Sequence, residues 1–172
     1  KHCLPKVQLY PMQAGQLVVD EMTVHNVVQK TDALGNMVTE EITLKSEPVT
    51  IRVKPLPPTT LPDFTGAVGQ FSVSARLVHQ ELSVGRTGRL RVTLSGAGNF
   101  LQLPMPEIKW PAHLEGFDPR ITEQLHKEVV PMRGEKQYEY SFTADSPGTY
   151  TIMPVSLTYF DPNLKVYKSI AT

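Results

Sequence analysis

Phe71-Ser72-Val73-Ser74-Ala75-Arg76-Leu77 and Leu90-Arg91-Val92-Thr93-Leu94-Ser95 are the two stretches that decide the fold of this chain. In each, apolar residues alternate with polar ones. A period of two places every second side chain on one face, the pattern of a strand with one side buried. The same pattern recurs where Tyr138, Tyr140 and Phe142 alternate with Glu139 and Ser141, and where Ile42 and Leu44 alternate with Glu41, Thr43 and Lys45. Turn chemistry separates the runs at 85–88, at Gly96-Ala97-Gly98-Asn99, at Ser146-Pro147-Gly148 and at Asp161-Pro162-Asn163. The 15 Pro and 11 Gly are spread along the 172 residues, and Pro in a helix interior removes a donor and clashes with the preceding turn. Only Ile121 to Val130 reads as a helical turn or two. Many short strands joined by turns predict an all-β chain built as a β-sandwich.

A repeat organises these strands. At an offset of 133 residues Gly15 falls on Gly148, Val7 on Tyr140, Leu9 on Phe142, Leu17 on Tyr150, Val19 on Ile152, Met22 on Val155 and Val24 on Leu157. Residues 138–172 then hold the closing strands of one sandwich, and the chain's start holds the closing strands of an earlier one whose opening strands are missing. The expected plan is 1–55 as the C-terminal part of an upstream β-sandwich, 56–63 as a Pro-rich linker and 64–172 as an immunoglobulin-like β-sandwich. Val7–Leu9, Leu17–Val19 and Ile42–Val53 are expected in strands. The run from Lys54 to Pro62, with Pro55, Pro57, Pro58 and Pro62, reads as a stiff spacer in preference to a proline-rich ligand. Tyr150, just after Pro147-Gly148, is placed either to tie a turn to the backbone as a tyrosine corner or to fill the core.

Composition excludes several functions. Lys+Arg 17 against Asp+Glu 17 argues against a nucleic-acid binder relying on a basic surface. No apolar run approaches the roughly 20 residues that span a bilayer. The single Cys3 forms no internal disulfide and no Cys-based zinc site. His2, His25, His79, His113 and His126 lack the spacing of a metal pair, so no metal or other cofactor is expected. The Gly96-Ala97-Gly98-Asn99 turn lacks the third Gly and the following helix of a phosphate site, and reads as a tight turn or bulge with Gly or Asn at positive φ. Phe117-Asp118-Pro119 and Phe160-Asp161-Pro162 each bring one carboxylate, which suits turn initiation better than calcium. No Gly-x-Ser-x-Gly elbow is present. Neither Cys3 nor any other residue stands out as a nucleophile, so no catalytic residue is assigned.

Trp110, flanked by Pro106 and Pro111, carries two readings. It fills the sandwich core, or it joins Phe100, Leu101 and Leu103 in an apolar partner-binding surface, since aromatic side chains bury much area with few rotors.

From Pro62 onward the chain resembles the aerotolerance protein BatD family. The resemblance rests on Phe64, Gly66-Ala67-Val68-Gly69 and Phe71, then on Gly96, Gly98-Asn99, Pro106, Pro111 and Phe117-Asp118-Pro119. It continues through Gly134, Tyr140, Pro147-Gly148, Tyr150, Pro154, Tyr159-Phe160-Asp161-Pro162 and Tyr167, with the Pro55-Leu56-Pro57 linker ahead of it. Where the family often has Ile-Pro before a turn, this chain has Ala144-Asp145. The resemblance implies an exported bacterial protein, periplasmic and anchored to the inner membrane by a part outside this sequence. It implies tandem β-sandwiches and protein partners that include membrane proteins with von Willebrand factor A-type domains. The expected function is a non-enzymatic interaction module in oxidative or envelope stress tolerance. A carbohydrate-binding or adhesion sandwich is the alternative. A half-sandwich with open edges is also expected to form a strand-exchanged dimer.

Overall fold

The computed structural model describes residues 8–31 and 33–172. The chain forms two compact units, Leu9–Pro58 and Thr59–Thr172, the latter joined by Gln8. Both are all-β. Lys54 to Pro62, within which the two units divide, forms no strand or helix and is exposed throughout.

In the first unit, β1 (Gly15–Val19) pairs antiparallel with β4 (Val49–Val53), and between them in sequence β2 (Thr23–Thr31) and β3 (Met37–Lys45) form a hairpin. Leu17–Val19 is therefore strand, as expected. Ile42–Val53 is two strands, broken at Ser46–Pro48, where Pro cannot donate to a ladder. Leu9 lies outside any strand, and Val7, His2 and Cys3 lie outside the described residues. The repeat is partial. β2 begins at Thr23 and its counterpart in the second unit begins at Ser156, which is the offset of 133 residues, but Gly148–Ile152, the counterpart of β1, forms no strand.

No described side chain of Leu9–Pro58 is buried, and Leu17, Val18, Val27, Ile42, Leu44 and Val49 are all exposed. Two separate strand pairs are too few to enclose an interior. The alternation of Ile42 and Leu44 was legible, yet both side chains are exposed. A chain from which Leu9–Pro58 is deleted should therefore unfold within about 1 kcal/mol of the whole, because no described side chain of that unit is buried. Urea unfolding of both checks this, and the denaturant slopes should nearly coincide.

The second unit is a sandwich whose two sheets share one strand. β5 (Phe64–Leu77) starts beside β10 (Ser156–Asp161), parallel, through Phe64 and Val68. From Gly69 it pairs antiparallel with β6 (Thr87–Gly98) instead. The smaller sheet is β11 (Val166–Ala171), β10 and the first part of β5. The larger sheet is the rest of β5, then β6, then β9 (Arg133–Ala144), with the short β7 (Leu114–Gly116) and β8 (Arg120–His126) along the far side of β9. Ile121 to Val130 is thus not helical. Its first part is β8, paired with β9 from Arg120↔Glu139 to His126↔Arg133, and cross-strand pairing overrides the weak strand propensity of Glu123 and Gln124.

Leu90, Val92 and Leu94 of β6 and Tyr138, Tyr140 and Phe142 of β9 are buried on the inner face. Tyr159 of β10 meets Phe71 of β5 edge-on at 5.6 Å, and this contact joins the two sheets. β10 is buried on both faces: Phe160 points away from the core to Tyr167 at 5.0 Å, and Phe64 caps that ring at 4.9 Å. The crossing of β5 depends on glycine. Gly69 and Gly98 face each other with φ of +153° and +149°, and a Cβ on Gly98 would stand 2.4 Å from the Val68 carbonyl oxygen. The Phe71 ring lies against the space so left.

Candidate interaction surface

The four residues singled out for partner binding do not form one surface. Asn99 accepts a bond from the Leu101 amide at 3.1 Å and starts a single 3-10 turn, Phe100–Gln102. The turn drives Phe100 inward, where it is fully buried and edge-on to Phe71 at 5.4 Å. Leu103 is buried as well, while Leu101 is 71% exposed. Trp110 is half-buried, tilted against Phe142 at 5.3 Å and near Tyr140 at 6.5 Å. It fills the space over Gly116, where a Cβ would meet the indole nitrogen at 2.0 Å. Phe100 and Leu103 are core, and Trp110 packs on the core aromatics. The contact surface proposed from sequence is corrected accordingly, because a buried ring cannot reach a partner without opening the sandwich.

Burial also sets the chemistry of the two inner tyrosines of β9. The Tyr140 hydroxyl donates to the Pro106 carbonyl, and burial, then the neighbouring Tyr138, pushes its pKa up to about 12. Burial raises Tyr138 too, helped by Glu123. A phenol whose folded pKa is raised favours the folded state below its unfolded pKa of 10 and loses that contribution as pH rises toward 12. Stability should therefore fall between these values, and Tyr140→Phe should flatten the fall while costing about 1 kcal/mol at neutral pH. Urea midpoints taken across alkaline pH read both effects.

The Phe-Asp-Pro turn is structural. Asp161 is fully buried. Its Oδ1 accepts from the amides of Asn163 and Leu164 at 3.0 and 3.2 Å, and its Oδ2 from Lys168 Nζ at 3.1 Å and Gln70 Nε2 at 3.4 Å. Burial raises its pKa, but Lys168, the two amides and Gln70 outweigh this and hold the carboxyl below its ordinary range. Among the described residues no group of three His, Cys, Asp or Glu is placed to hold a metal ion. The Tyr150 hydroxyl donates to the Ser146 carbonyl at 2.8 Å, the bond of a tyrosine corner. Tyr150 lies in the extended approach to β10, ahead of the strand itself.

One group has the composition of a hydrolytic triad. His113 Nδ1 pairs with Asp145 Oδ1 at 2.9 Å, and the Ser146 hydroxyl donates to the same oxygen at 2.7 Å. The carboxylate therefore stands between the hydroxyl and the imidazole. A nucleophilic serine needs the imidazole as its neighbour, to take the proton.

The outer face of the larger sheet carries charge that the sequence reading passed over. Arg76, Arg91, Glu139 and Arg120 stand in register across β5, β6, β9 and β8. Arg91 Nη2 binds Glu139 Oε2 at 2.9 Å, and Arg89 Nη1 approaches Oε1 at 3.8 Å. The hydrogen bond from Arg91 holds the Glu139 carboxyl low, with the charges of Arg91, Arg89 and Arg120 adding to it. In the sequence these residues are the polar spacers of the alternation; only the register shows that they line up. At the end of β5 a cleft of about 680 Å³ opens toward the segment before β10, lined by Ala75, Arg76, Leu77, Ile152, Met153 and Val155 among others.

The BatD DUF11-like domain family matches residues 75–172, from the end of β5 through β11. The chain belongs to the BatD family. No curated protein and no solved structure matches it. The BatD match thus lies wholly in the unit that has a core, and it begins at the edge of the cleft. No helix among the described residues is long and apolar enough to cross a membrane.

Proposed function

We propose that this BatD-family chain is a non-enzymatic protein–protein interaction module. It belongs to a periplasmic protein anchored in the inner membrane, and it acts in aerotolerance or envelope stress beside membrane proteins with von Willebrand factor A-type domains. The family match over Ala75–Thr172 carries the reading, since the partners are those the family implies. The geometry supports it: the polar groups with the most chemical promise, Asp161 and the His113–Asp145–Ser146 cluster, are engaged in holding turns, while a sheet edge and a cleft stand open. A carbohydrate-binding sandwich would offer aromatic rings as a platform, whereas Phe71, Phe100, Tyr159 and Phe142 are spent inside.

The test is affinity capture of the complete exported protein from its own membrane extract, with quantitative mass spectrometry. Near-stoichiometric recovery of a membrane protein with a von Willebrand factor A-type domain is the expected result. Retention of cell-surface glycan with no such protein would overturn the reading.

A further inference from the structure

We propose, resting on the interaction-module reading, that the free edge of β5 over Val73–Leu77 receives an extended segment of a partner protein as an added strand. Apolar side chains of that segment turn toward the cleft, and a carboxylate stands opposite Arg76.

The backbone shows which groups are available. The Val78 amide donates to the Arg89 carbonyl at 3.0 Å, and the Asn99 amide to the Val68 carbonyl at 2.9 Å. Both pairs lie on the register that sets Arg76 opposite Arg91. In an antiparallel ladder the N–H and C=O of one residue point the same way, and alternate residues point oppositely. Ser72, Ser74 and Arg76 therefore bond to β6. The amides and carbonyls of Val73, Ala75 and Leu77 point away from it, and among the described residues β10 reaches β5 only through Phe64 and Val68.

This edge is also lightly defended, with Arg76 as its one charge. Sheet edges are usually blunted by Lys, Pro, inward charges or shortness. β7 has three residues, β8 carries Arg120, Glu123 and His126, and β11 carries Lys168. From Gly69 to Leu77, β5 has no Pro, no Lys and no acidic residue.

The side chains state what would fit. Ala75, Leu77, Ile152 and Val155 line the cleft together with polar groups that include Arg76 and Gln80, so the alternate residues of an added strand meet a lining that is part apolar and part polar. On the opposite face, Arg76 has Arg91 as its cross-strand neighbour, and Glu139 is already held by Arg91 and Arg89. Like charges directly opposite are unfavourable, and a carboxylate on the added strand would relieve them.

The test uses the full chain and a blocked nine-residue probe peptide of alternating Val and Thr with one central Glu in the polar series, against the same peptide with Lys. Amide exchange and chemical shifts are read by NMR. Without peptide, the Val73, Ala75 and Leu77 amides should exchange at least about tenfold faster than those of Ser72, Ser74 and Arg76. Millimolar Glu peptide should slow those three by about tenfold or more, and the Lys peptide should bind about fivefold more weakly. Ala75→Pro removes only an outward-pointing amide and should abolish binding; Arg76→Glu should reverse the preference between the peptides, and decides the matter if the proline variant fails to fold. Equal binding of both peptides, protection elsewhere, or protection that grows with protein concentration alone, which would mean a second copy on the edge, overturns the proposal. If the edge stays inert while the complete protein still captures its membrane partner, only this inference fails. If the peptide adds to β5 but no partner is captured, only the functional reading fails.

Discussion

Phe100→Ala should destabilise the second unit by about 3–5 kcal/mol. The ring is fully buried and edge-on to Phe71, which in turn touches Tyr159 of the opposite sheet. Its loss would leave a void where the two sheets meet. A domain's whole stability is about 5–15 kcal/mol, so the variant should lose a large part of it and its melting midpoint should drop by more than about 10 °C. Leu101→Ser, one residue on, should stay within about 0.5 kcal/mol because that side chain already stands in water. Thermal and urea unfolding of the pair decide between burial and surface. Equal stability for the two variants would mean that the 3-10 turn does not tuck Phe100 under Phe71.

Gly98→Ala should be among the most damaging single methyls. Its φ of +149° is one that side chains rarely adopt, and the new Cβ would meet the Val68 oxygen at 2.4 Å, the Gly69 Cα at 2.6 Å and the Phe71 ring at 2.9 Å. Backbone strain contributes roughly 1–3 kcal/mol and overpacking a similar amount. Relief would require β5 and β6 to part at the point where β5 changes sheets, so the damage should spread to the Phe64–Val68 pairing with β10. Gly85→Ala is the control. That glycine also has a positive φ, +76°, but nothing lies within 4 Å of the new methyl, and the cost should be only about 1–2 kcal/mol. Amide exchange in Phe64–Val68 should rise in the first variant and not in the second.

These two predictions rest on features the sequence showed unequally. The alternations at 71–77, 90–95 and 138–142 marked real strands, and their apolar members in β6 and β9 are the core. Periodicity reports a face directly, so these were legible. Positive φ was legible within 96–99 for Gly or Asn; it falls on Gly96 and Gly98 at the end of β6, while Asn99 has φ −82°. The partner of Gly98, Gly69, was not legible, because the contact is made across strands. Phe100 and Leu103 were read toward the surface as companions of Trp110 in an apolar patch. Asn99, a capping residue, signalled a turn here, but which of its residues goes inward is set by the contact of Phe100 with Phe71. Ile121 and Leu125 stand four apart and mimic a helix, and only β9 alongside makes that segment a strand. The charge row of Arg76, Arg91, Glu139 and Arg120 was invisible for a related reason: each residue is an ordinary spacer until the strands are set in register. The open edge of β5 is the same kind of fact, a property of what does not pair.

The central claim is that this unit works by binding a protein partner through that edge. A photocrosslinking residue placed at position 75 in the complete protein, in its own membrane, tests it most directly, with position 93 on the polar outer face of β6 as the reference. The predicted result is a crosslink from position 75 to a membrane protein with a von Willebrand factor A-type domain, and none from position 93. Crosslinks from position 93 alone, or from neither position while the protein is intact and anchored, would contradict it.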